Sequence, residues 1–186
     1  MAMARLPRNE TVAGVWHVFA RGVEKRRIFL DEEDWQTYLR LLRSVVKSFR
    51  WHCLAYCLMP NHVHLLIETT EPNLGKGMHA LHGTYARCFN DKWVRVGHLF
   101  QSRFGGRAVH DDIGLMRVLA YIEANPVAAG LCTAPGDWEW SSYRSTIAGD
   151  VGGIADLNRL GDHIAPMADL AGVYAELISG ALLASG

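Results

Sequence analysis

Hydrophobic positions along the chain follow two different periods. Runs rich in Val and aromatic residues, with the alternation typical of strands, occupy residues 14–21, 51–58, 62–68 and 97–109. Apolar residues three or four positions apart, which share one face of a helix, occupy residues 31–50, 73–90 and 113–124. The order βαββαβα predicts an α+β fold, with a ferredoxin-like antiparallel sheet, helices packed on one face and one additional helix.

Polar residues mark where several of these elements begin and end. Asp31 precedes the first helix, and acidic residues fill the first turn after it. Pro60 and Asn61 separate the second and third strands, and this short connection predicts a hairpin. Asp111 and Asp112 offer a cap for the last of the three helices.

The chain beyond this last helix has weaker patterns. Residues 127–150 indicate loops and short turns, and an apolar segment at 165–183 indicates a further helix. The length of the chain suits one ordinary domain with a short tail. We therefore predict one domain at 1–150 and a helical C-terminal extension at 151–186.

The net charge of zero hides an asymmetry along the chain. Residues 1–110 contain 16 Lys and Arg against 9 Asp and Glu, whereas residues 111–186 contain 3 against 10. A basic front half can attract phosphates while an acidic rear half repels them, although two ordinary solvated surfaces would give the same counts. A nucleic-acid partner is therefore not excluded by the overall charge.

Composition predicts a cytoplasmic protein with no membrane partner. No apolar run approaches the roughly 18 residues that span a bilayer, and residues 1–9 lack the apolar core of a secretory signal. The four cysteines form no CxxC pair, which suits a reducing compartment.

Two histidines form the first candidate for chemistry. His62 and His64 lie on one predicted strand, where alternate side chains point to the same face, so both imidazoles project together. Two imidazoles at this spacing can bind one divalent ion, with Val63 packing on the opposite face. The alternative is a pair of structural histidines within the sheet.

The last predicted helix supplies a second candidate pair. Tyr121 and Asn125 are four residues apart and would lie on the same helix face. The amide oxygen of Asn125 can complete an N,N,O ligand set with the two histidines, beside the Tyr121 hydroxyl. Alternatively, Tyr121 is a core aromatic residue and Asn125, directly before Pro126, only ends the helix.

Five segments in order carry a resemblance to a known family. They are WHVFARGVEKRRIF, MPNHVHLLIE, YARCFN followed by GHLFQSRF, YIEANPVAAGL, and WSSYR at 140–144. With these segments the chain resembles the REP-associated tyrosine transposases of the single-tyrosine HUH superfamily, in which HUH denotes two histidines around a hydrophobic residue. An HUH motif alone is weak evidence, but its combination with a downstream Tyr-x-x-x-Asn-Pro helix is specific.

The resemblance implies a chemistry for the candidate residues. His62, His64 and Asn125 would hold Mg²⁺ or Mn²⁺, and Tyr121 would attack a phosphodiester of single-stranded DNA. The products would be a 5′-phosphotyrosine link and a free 3′-hydroxyl, which can reverse the reaction without ATP. A tyrosine hydroxyl has an ordinary pKa near ~10, so its attack benefits from a cation at the phosphate. Imidazole ligands favour Mn²⁺ over Mg²⁺.

The substrates implied by the resemblance are imperfect DNA hairpins with an adjoining single strand, bound by a monomer or a homodimer. The basic residues of the front half are candidates for phosphate contacts, which set affinity and register and make binding depend on salt. These candidates are Arg21, Lys25, Arg26 and Arg27, together with Arg103 and Arg107, which flank Phe104, where a base can stack.

Two other function classes fit parts of the sequence. The chain could be a DNA-hairpin-binding regulator that has kept the fold without the chemistry. It could also be a zinc protein that uses Cys53 and Cys57 with the histidine pair, or His79 with His82, although the close CxxC spacing of most zinc sites is missing.

Overall fold

The computed structural model describes residues 12–164 and 169–183. Its centre is one four-stranded antiparallel sheet with the strand order β2-β3-β1-β4. The strands are β1 (Gly14–Arg21), β2 (Trp51–Met59), β3 (His62–Thr69) and β4 (Gly105–Val109). The predicted α+β fold and the β2–β3 hairpin are therefore confirmed.

The fourth strand is shorter than its sequence pattern predicts, because residues 97–104 are not part of the sheet ladder. Phe100 makes only an isolated bridge with Gly22. Backbone hydrogen bonds instead tie this segment to the end of β1 and the loop beyond it, from Val23 N–H to the Leu99 carbonyl and from Gln101 N–H to the Arg21 carbonyl. Leu99 is buried in the core, which explains the apolar pattern of the segment without a strand.

Six α-helices complete the described part of the chain. They are α1 (Glu32–Ser48), α2 (Leu74–Lys92), α3 (Asp112–Ala128), α4 (Tyr143–Ile147), α5 (Leu157–Ile164) and α6 (Leu170–Leu183). Asp31 caps α1 in a capping box with Asp34, as its position before the acidic turn predicts. No helix among the described residues is both long enough and apolar enough to span a bilayer.

The helices cover both faces of the sheet. Helices α1 and α2 pack on one face of the sheet, against inward residues that include Val18, Val63 and Leu65. Helices α3, α5 and α6 form a second layer on the opposite face, mainly over β2. A β-bulge between Cys53 and Ala55 shifts the alternation of β2. Residues an even number of positions apart therefore point to opposite faces of the sheet when the bulge lies between them.

Helix α3 continues past Pro126, although the sequence pattern predicted its end near residue 124. Pro126 lies inside the helix, which ends only at Ala128. Its ring removes one backbone donor, but the Ala129 and Leu131 N–H groups still bond to the carbonyls of Asn125 and Pro126. The chain turns away from the helix at Gly130, two residues after Ala128, where a positive φ of 68° suits a residue without a side chain.

The C-terminal segment shares a hydrophobic core with α3 and the sheet. Leu157 and Leu160 of α5 and Tyr174 and Ile178 of α6 are fully buried there. Helix α6 accounts for the predicted C-terminal helix from Leu170 onward, whereas residues 165–168 lie outside the described residues. Helices α4 and α5 have only five and eight residues, too short for a clear helical pattern in the sequence.

Candidate active site

Strand β3 places His62 and His64 on one face of the sheet. Val63 between them is fully buried in the opposite core, below α1 and α2, as the alternation of a strand requires. The two imidazole centroids are 5.0 Å apart. His64 is 6% exposed, whereas His62 is only partly buried. The prediction that both imidazoles project from the same face of the strand is confirmed.

The ring of His62 is oriented by its neighbour in the hairpin turn. Its Nδ1 lies 2.6 Å from Oδ1 of Asn61, and the Asn61 Nδ2 donates to the Lys25 carbonyl at 3.1 Å. An amide oxygen can only accept, so Nδ1 of His62 carries the hydrogen. The Nε2 lone pair of His62 is therefore available for a cation.

A third histidine lies beside His64. Nε2 of His17, on β1, is 3.0 Å from Nδ1 of His64, and both side chains are buried. The β1–β3 register pairs His17 with Leu66 and Phe19 with His64, so His17 reaches its partner diagonally across the sheet. His17 was not among the residues predicted from the sequence, although the alternation of the segment His17-Val18-Phe19-Ala20-Arg21 places it on the same face as Arg21.

The surroundings keep all three imidazoles neutral. Burial, followed by the charge of Arg107, lowers the pKa of His17 to about 4. Burial and the charge of Arg21 lower the pKa of His62 to about 4, while a hydrogen bond with Asn125 opposes the shift. Burial lowers the pKa of His64 well below 6.5, with the charges of its neighbours adding to the effect. Neutral imidazole is the form that binds metal ions.

Helix α3 brings Tyr121 to the histidines. The centroid of the Tyr121 ring is 5.4 Å from that of His64 and 5.9 Å from that of His17, and both ring pairs have an edge-to-face geometry. Tyr121 is 53% exposed, because α3 buries its opposite side, including Leu119 and Ile122, against β2 and α6. Tyr121 is therefore not a core aromatic residue.

Asn125 lies one helical turn after Tyr121 and adjoins the histidine pair. Its side chain lies beside His62, where it opposes the lowering of the pKa of that imidazole, and its Nδ2 donates to the Tyr121 carbonyl at 3.4 Å. The four residues His62, His64, Tyr121 and Asn125, which are separated widely in the sequence, are thus neighbours in one chain.

An arginine-lined cleft of about 370 Å³ opens beside Tyr121. None of the side chains that line it in the described structure is acidic; they are His17, Phe19, Arg21, His64, Arg107, Arg117, Val118 and Tyr121. Gly105 allows the Phe19 ring to form part of the wall, because a Cβ there would lie 2.3 Å from that ring. The cleft therefore offers three guanidinium groups to an anionic ligand.

The predicted phosphate contacts divide into two groups. Arg21 and Arg107 line the cleft together with Arg117, which was not among the predicted contacts. Arg117 could have been found from its position one helical turn before Tyr121. The other candidates do not line the cleft. They are exposed in the loop after β1, at Lys25, Arg26 and Arg27, and in the segment before β4, at Arg103.

Arg26 and the neighbour of Arg103, Phe104, both make contacts within the protein. Arg26 pairs with Glu24 at 2.7 Å, an exposed ion pair that occupies part of its guanidinium. Phe104, the predicted stacking residue beside Arg103, packs partly buried against the core on the α1 and α2 side.

The zinc alternatives are wrong for the described chain. Within residues 12–164 and 169–183, no group of three or more His, Cys, Asp or Glu side chains is placed to hold a metal ion. The bulge of β2 directs Cys53 and Cys57 into the two different cores. His79 is exposed, whereas His82 is buried with its Nε2 3.1 Å from the Tyr38 hydroxyl.

The residues at the histidine pair fit an octahedral divalent cation better than a closed zinc site. Two neutral imidazoles and one amide oxygen would form a mixed N,N,O set that leaves positions for phosphate oxygens. Such a set suits Mn²⁺, and also Mg²⁺ when phosphate supplies further oxygens.

Comparisons with known proteins agree with this geometry. A family model described as "Transposase IS200 like" matches residues 14–125, a range that contains both histidines and ends at Asn125. A Haemophilus influenzae protein whose name assigns it to the REP-associated tyrosine transposases is 28% identical over 145 residues, which cover 67% of this chain and 82% of that protein.

One solved structure shows the same fold, and a second is similar over a smaller part of the chain. A REP-associated tyrosine transposase bound to a REP hairpin matches with a TM-score of 0.68 and 18% identity, over 78% of this chain and 86% of that one. A Deinococcus radiodurans protein named as a transposase matches with a TM-score of 0.45 and 20% identity, over 64% of this chain and 96% of that one. The resemblance to REP-associated tyrosine transposases is thereby confirmed, and the chain belongs to the IS200-like transposase family.

Proposed function

We propose that this protein cleaves single-stranded DNA and joins the strands again through a 5′-phosphotyrosine intermediate, with hairpin-forming repeat DNA as its substrate. One observation carries the proposal: the half-exposed Tyr121 side chain lines an arginine-lined cleft, and its ring lies against His64. A phenol in such a place can reach a bound phosphodiester, whereas a buried structural tyrosine could not.

A divalent cation is the proposed cofactor, either Mg²⁺ or Mn²⁺. His62 and His64 would hold it through Nε2 and Asn125 through its amide oxygen. When bound, the cation would supply charge stabilisation to a phosphate under attack. The neutral state of both imidazoles and the occupied Nδ1 atoms support this assignment.

The chemical step follows from the position of Tyr121. Its hydroxyl oxygen attacks the phosphorus and loses its proton to solvent, which reaches this half-exposed side chain. The new phosphotyrosine bond replaces the bond to the 3′-oxygen, which takes up a proton and leaves as a hydroxyl. The number of phosphoester bonds is unchanged, so the reverse attack by a 3′-hydroxyl rejoins DNA without ATP.

The cleft arginines bind the DNA backbone in this proposal. Arg21, Arg107 and Arg117 would contact phosphates and so fix the strand relative to Tyr121. The wall formed by Phe19 gives an apolar surface on which a base can rest. The related structure bound to a REP hairpin supports hairpin DNA as the class of substrate.

The alternative is a DNA-hairpin-binding regulator without catalytic activity. The specific observation in its favour is the set of arginines, which would bind DNA with or without chemistry. The two functions differ in their products, because only the enzyme shortens the oligonucleotide and attaches part of it to protein.

A cleavage assay separates the two. We expect the purified protein with Mn²⁺ to cut an end-labelled hairpin oligonucleotide with a single-stranded extension, and we expect His64→Ala to lose cleavage at low Mn²⁺ concentration. His79→Ala, at an exposed histidine of α2, is the control and should keep it. Retarded but uncut DNA with the wild-type protein would favour the regulator, and full activity of His64→Ala at low Mn²⁺ would contradict the assignment of the ligand.

A further inference from the structure

The contact between His17 and His64 requires a particular distribution of protons. Nε2 of His17 and Nδ1 of His64 are 3.0 Å apart, and both rings are buried. Two imidazole nitrogens form a hydrogen bond only when a single hydrogen lies between them. Either His64 donates from Nδ1 and keeps a lone pair on Nε2, or His17 donates from Nε2 and neutral His64 carries its own hydrogen on Nε2.

The two arrangements differ in what His64 can bind. A nitrogen that carries a hydrogen has no lone pair for a cation, so only the first arrangement leaves Nε2 of His64 free as a ligand. The neighbouring histidine already shows the matching state, because Asn61 can only accept from Nδ1 of His62. For both histidines to bind one cation through Nε2, His17 must be the acceptor for His64.

We propose that His17 is a positioning residue that accepts the Nδ1 hydrogen of His64 and thereby holds Nε2 of His64 ready for a divalent cation. This inference rests on the proposed function, since it names the group that orients one of the proposed metal ligands. His17 acts through His64 and needs no contact with the cation itself. Partners of this kind commonly change metal affinity by about 10- to 100-fold when they are removed.

The position of His17 is fixed by the sheet rather than by its own contacts alone. It stands opposite Leu66 on β3 and opposite Arg107 on β4, in the centre of the antiparallel ladder. Its ring also contacts Phe19 and the edge of Tyr121, at centroid distances of 5.5 Å and 5.9 Å. A ring held on several sides is able to impose one orientation on its partner.

Tautomers measured by ¹⁵N NMR test the hydrogen bond in the metal-free protein. We expect His64 in the wild-type protein to carry its hydrogen on Nδ1 with an unprotonated Nε2, and His17→Phe to lose this preference. The opposite tautomer of His64 in the wild-type protein would overturn the inference whether or not any variant folds.

Mn²⁺ affinity, measured by calorimetric titration without DNA, tests the consequence. We expect His17→Phe to weaken Mn²⁺ binding by about 10- to 100-fold, and His17→Gln to restore most of the affinity, because the Gln amide oxygen can accept the same hydrogen. His82→Phe is the matched control: it also removes a buried histidine with one hydrogen bond, but on the opposite side of the sheet, and should leave Mn²⁺ affinity unchanged.

The outcomes distinguish the two proposals. Equal Mn²⁺ affinity of the wild-type protein and a folded His17→Phe variant would overturn the role of His17 and leave the proposed function intact. Equal weakening by His17→Phe and His17→Gln would also overturn it, since a general packing defect would act in that way. A wild-type protein that binds no Mn²⁺ would overturn the proposed function and the role of His17 with it.

Discussion

Both strand histidines have their Nδ1 atom engaged by a neighbour, Asn61 for His62 and His17 for His64. Histidines that bind metals are usually oriented in this way, because the outer partner fixes both ring direction and tautomer. The His-x-His pattern is visible in the sequence, but its partners are not. One partner depends on the register between β1 and β3, and the other on an amide that the Lys25 carbonyl orients.

Arg117 is the residue for which a mutation best tests the cleft as a DNA site. It is exposed one turn before Tyr121 and lines the cleft. We expect Arg117→Ala to weaken binding of a hairpin oligonucleotide by about tenfold at low salt, since a hydrogen bond to a charged group contributes about 1.5 kcal/mol or more. Fluorescence anisotropy over a range of salt concentrations should show a shallower salt dependence for the variant.

The control for this prediction is Arg87→Ala. Arg87 is exposed on α2, on the far side of the sheet, so its loss should leave DNA affinity within about twofold. Equal effects of the two substitutions would show that binding follows the total charge of the protein and not the cleft.

At the scale of single elements, α3 has two different sides. One side carries Tyr121, Asn125 and Arg117 toward the histidines and the cleft. The other side buries Glu123, whose Oε1 accepts from the Ser142 hydroxyl at 2.5 Å and from the Tyr174 hydroxyl at 2.7 Å. Oε2 of Glu123 has no hydrogen-bond partner in the part of the chain that the structure describes. The helix that carries Tyr121 is thus attached to α6 through a buried carboxyl group.

This carboxyl group makes stability depend on pH. Burial raises the pKa of Glu123 from 4.5 to about 7, although hydrogen bonds from Ser142 and Tyr174 oppose the shift. Between these pH values the unfolded chain releases a proton that the folded chain keeps, so the free energy of unfolding falls as pH rises from about 4.5 to about 7. The stability lost in this window is not regained at higher pH.

Glu123→Gln should remove this contribution. We expect the free energy of unfolding of the wild-type protein to fall between pH 5 and pH 8 by on the order of 3 kcal/mol more than that of the variant. Urea unfolding followed by circular dichroism at several pH values measures the difference. Parallel pH profiles for the two proteins would contradict the shifted pKa of Glu123.

Most helices and strands were predictable from the sequence. Where the structure differs from the prediction, the difference has a local cause. Strong alternation and helical spacing identified three of the four strands and the first three helices with nearly the observed bounds. Pro126 suggested an early end to α3, but a proline near the last turn costs only one hydrogen bond, and the helix continues to Ala128, shortly before the positive φ of Gly130. The bulge at Cys53 had no signal in the pattern, because it depends on pairing with β3.

At the scale of the whole molecule, the location of the cleft follows from how the second layer sits on the sheet. Helices α3, α5 and α6 pack mainly over β2, so the neighbouring surface of β1 keeps Phe19 and Arg21 accessible to the cleft. A sheet that is only partly covered on one face therefore provides both a rigid support for the histidines and room for a ligand.

The division of charge along the chain does not translate directly into two faces. Arg117 comes from the acidic rear half yet lines the basic cleft. In the basic front half, Lys92 is paired with three carboxylates, those of Asp31, Glu33 and Asp34. Counting charges in the sequence could not exclude a nucleic-acid partner, and the fold decides which of the basic residues line the cleft.

The proposal that Tyr121 forms a covalent bond with DNA is tested most directly by mass spectrometry of the protein after reaction with hairpin DNA and Mn²⁺. We expect a tryptic peptide containing Tyr121 to carry a 5′-phosphorylated nucleotide fragment. Tyr121→Phe should show no adduct and should keep nearly full DNA affinity, because only one hydroxyl is removed, whereas Tyr143→Phe on α4 should form the adduct as before. An adduct on any other residue, or one that persists in Tyr121→Phe, would contradict the proposal.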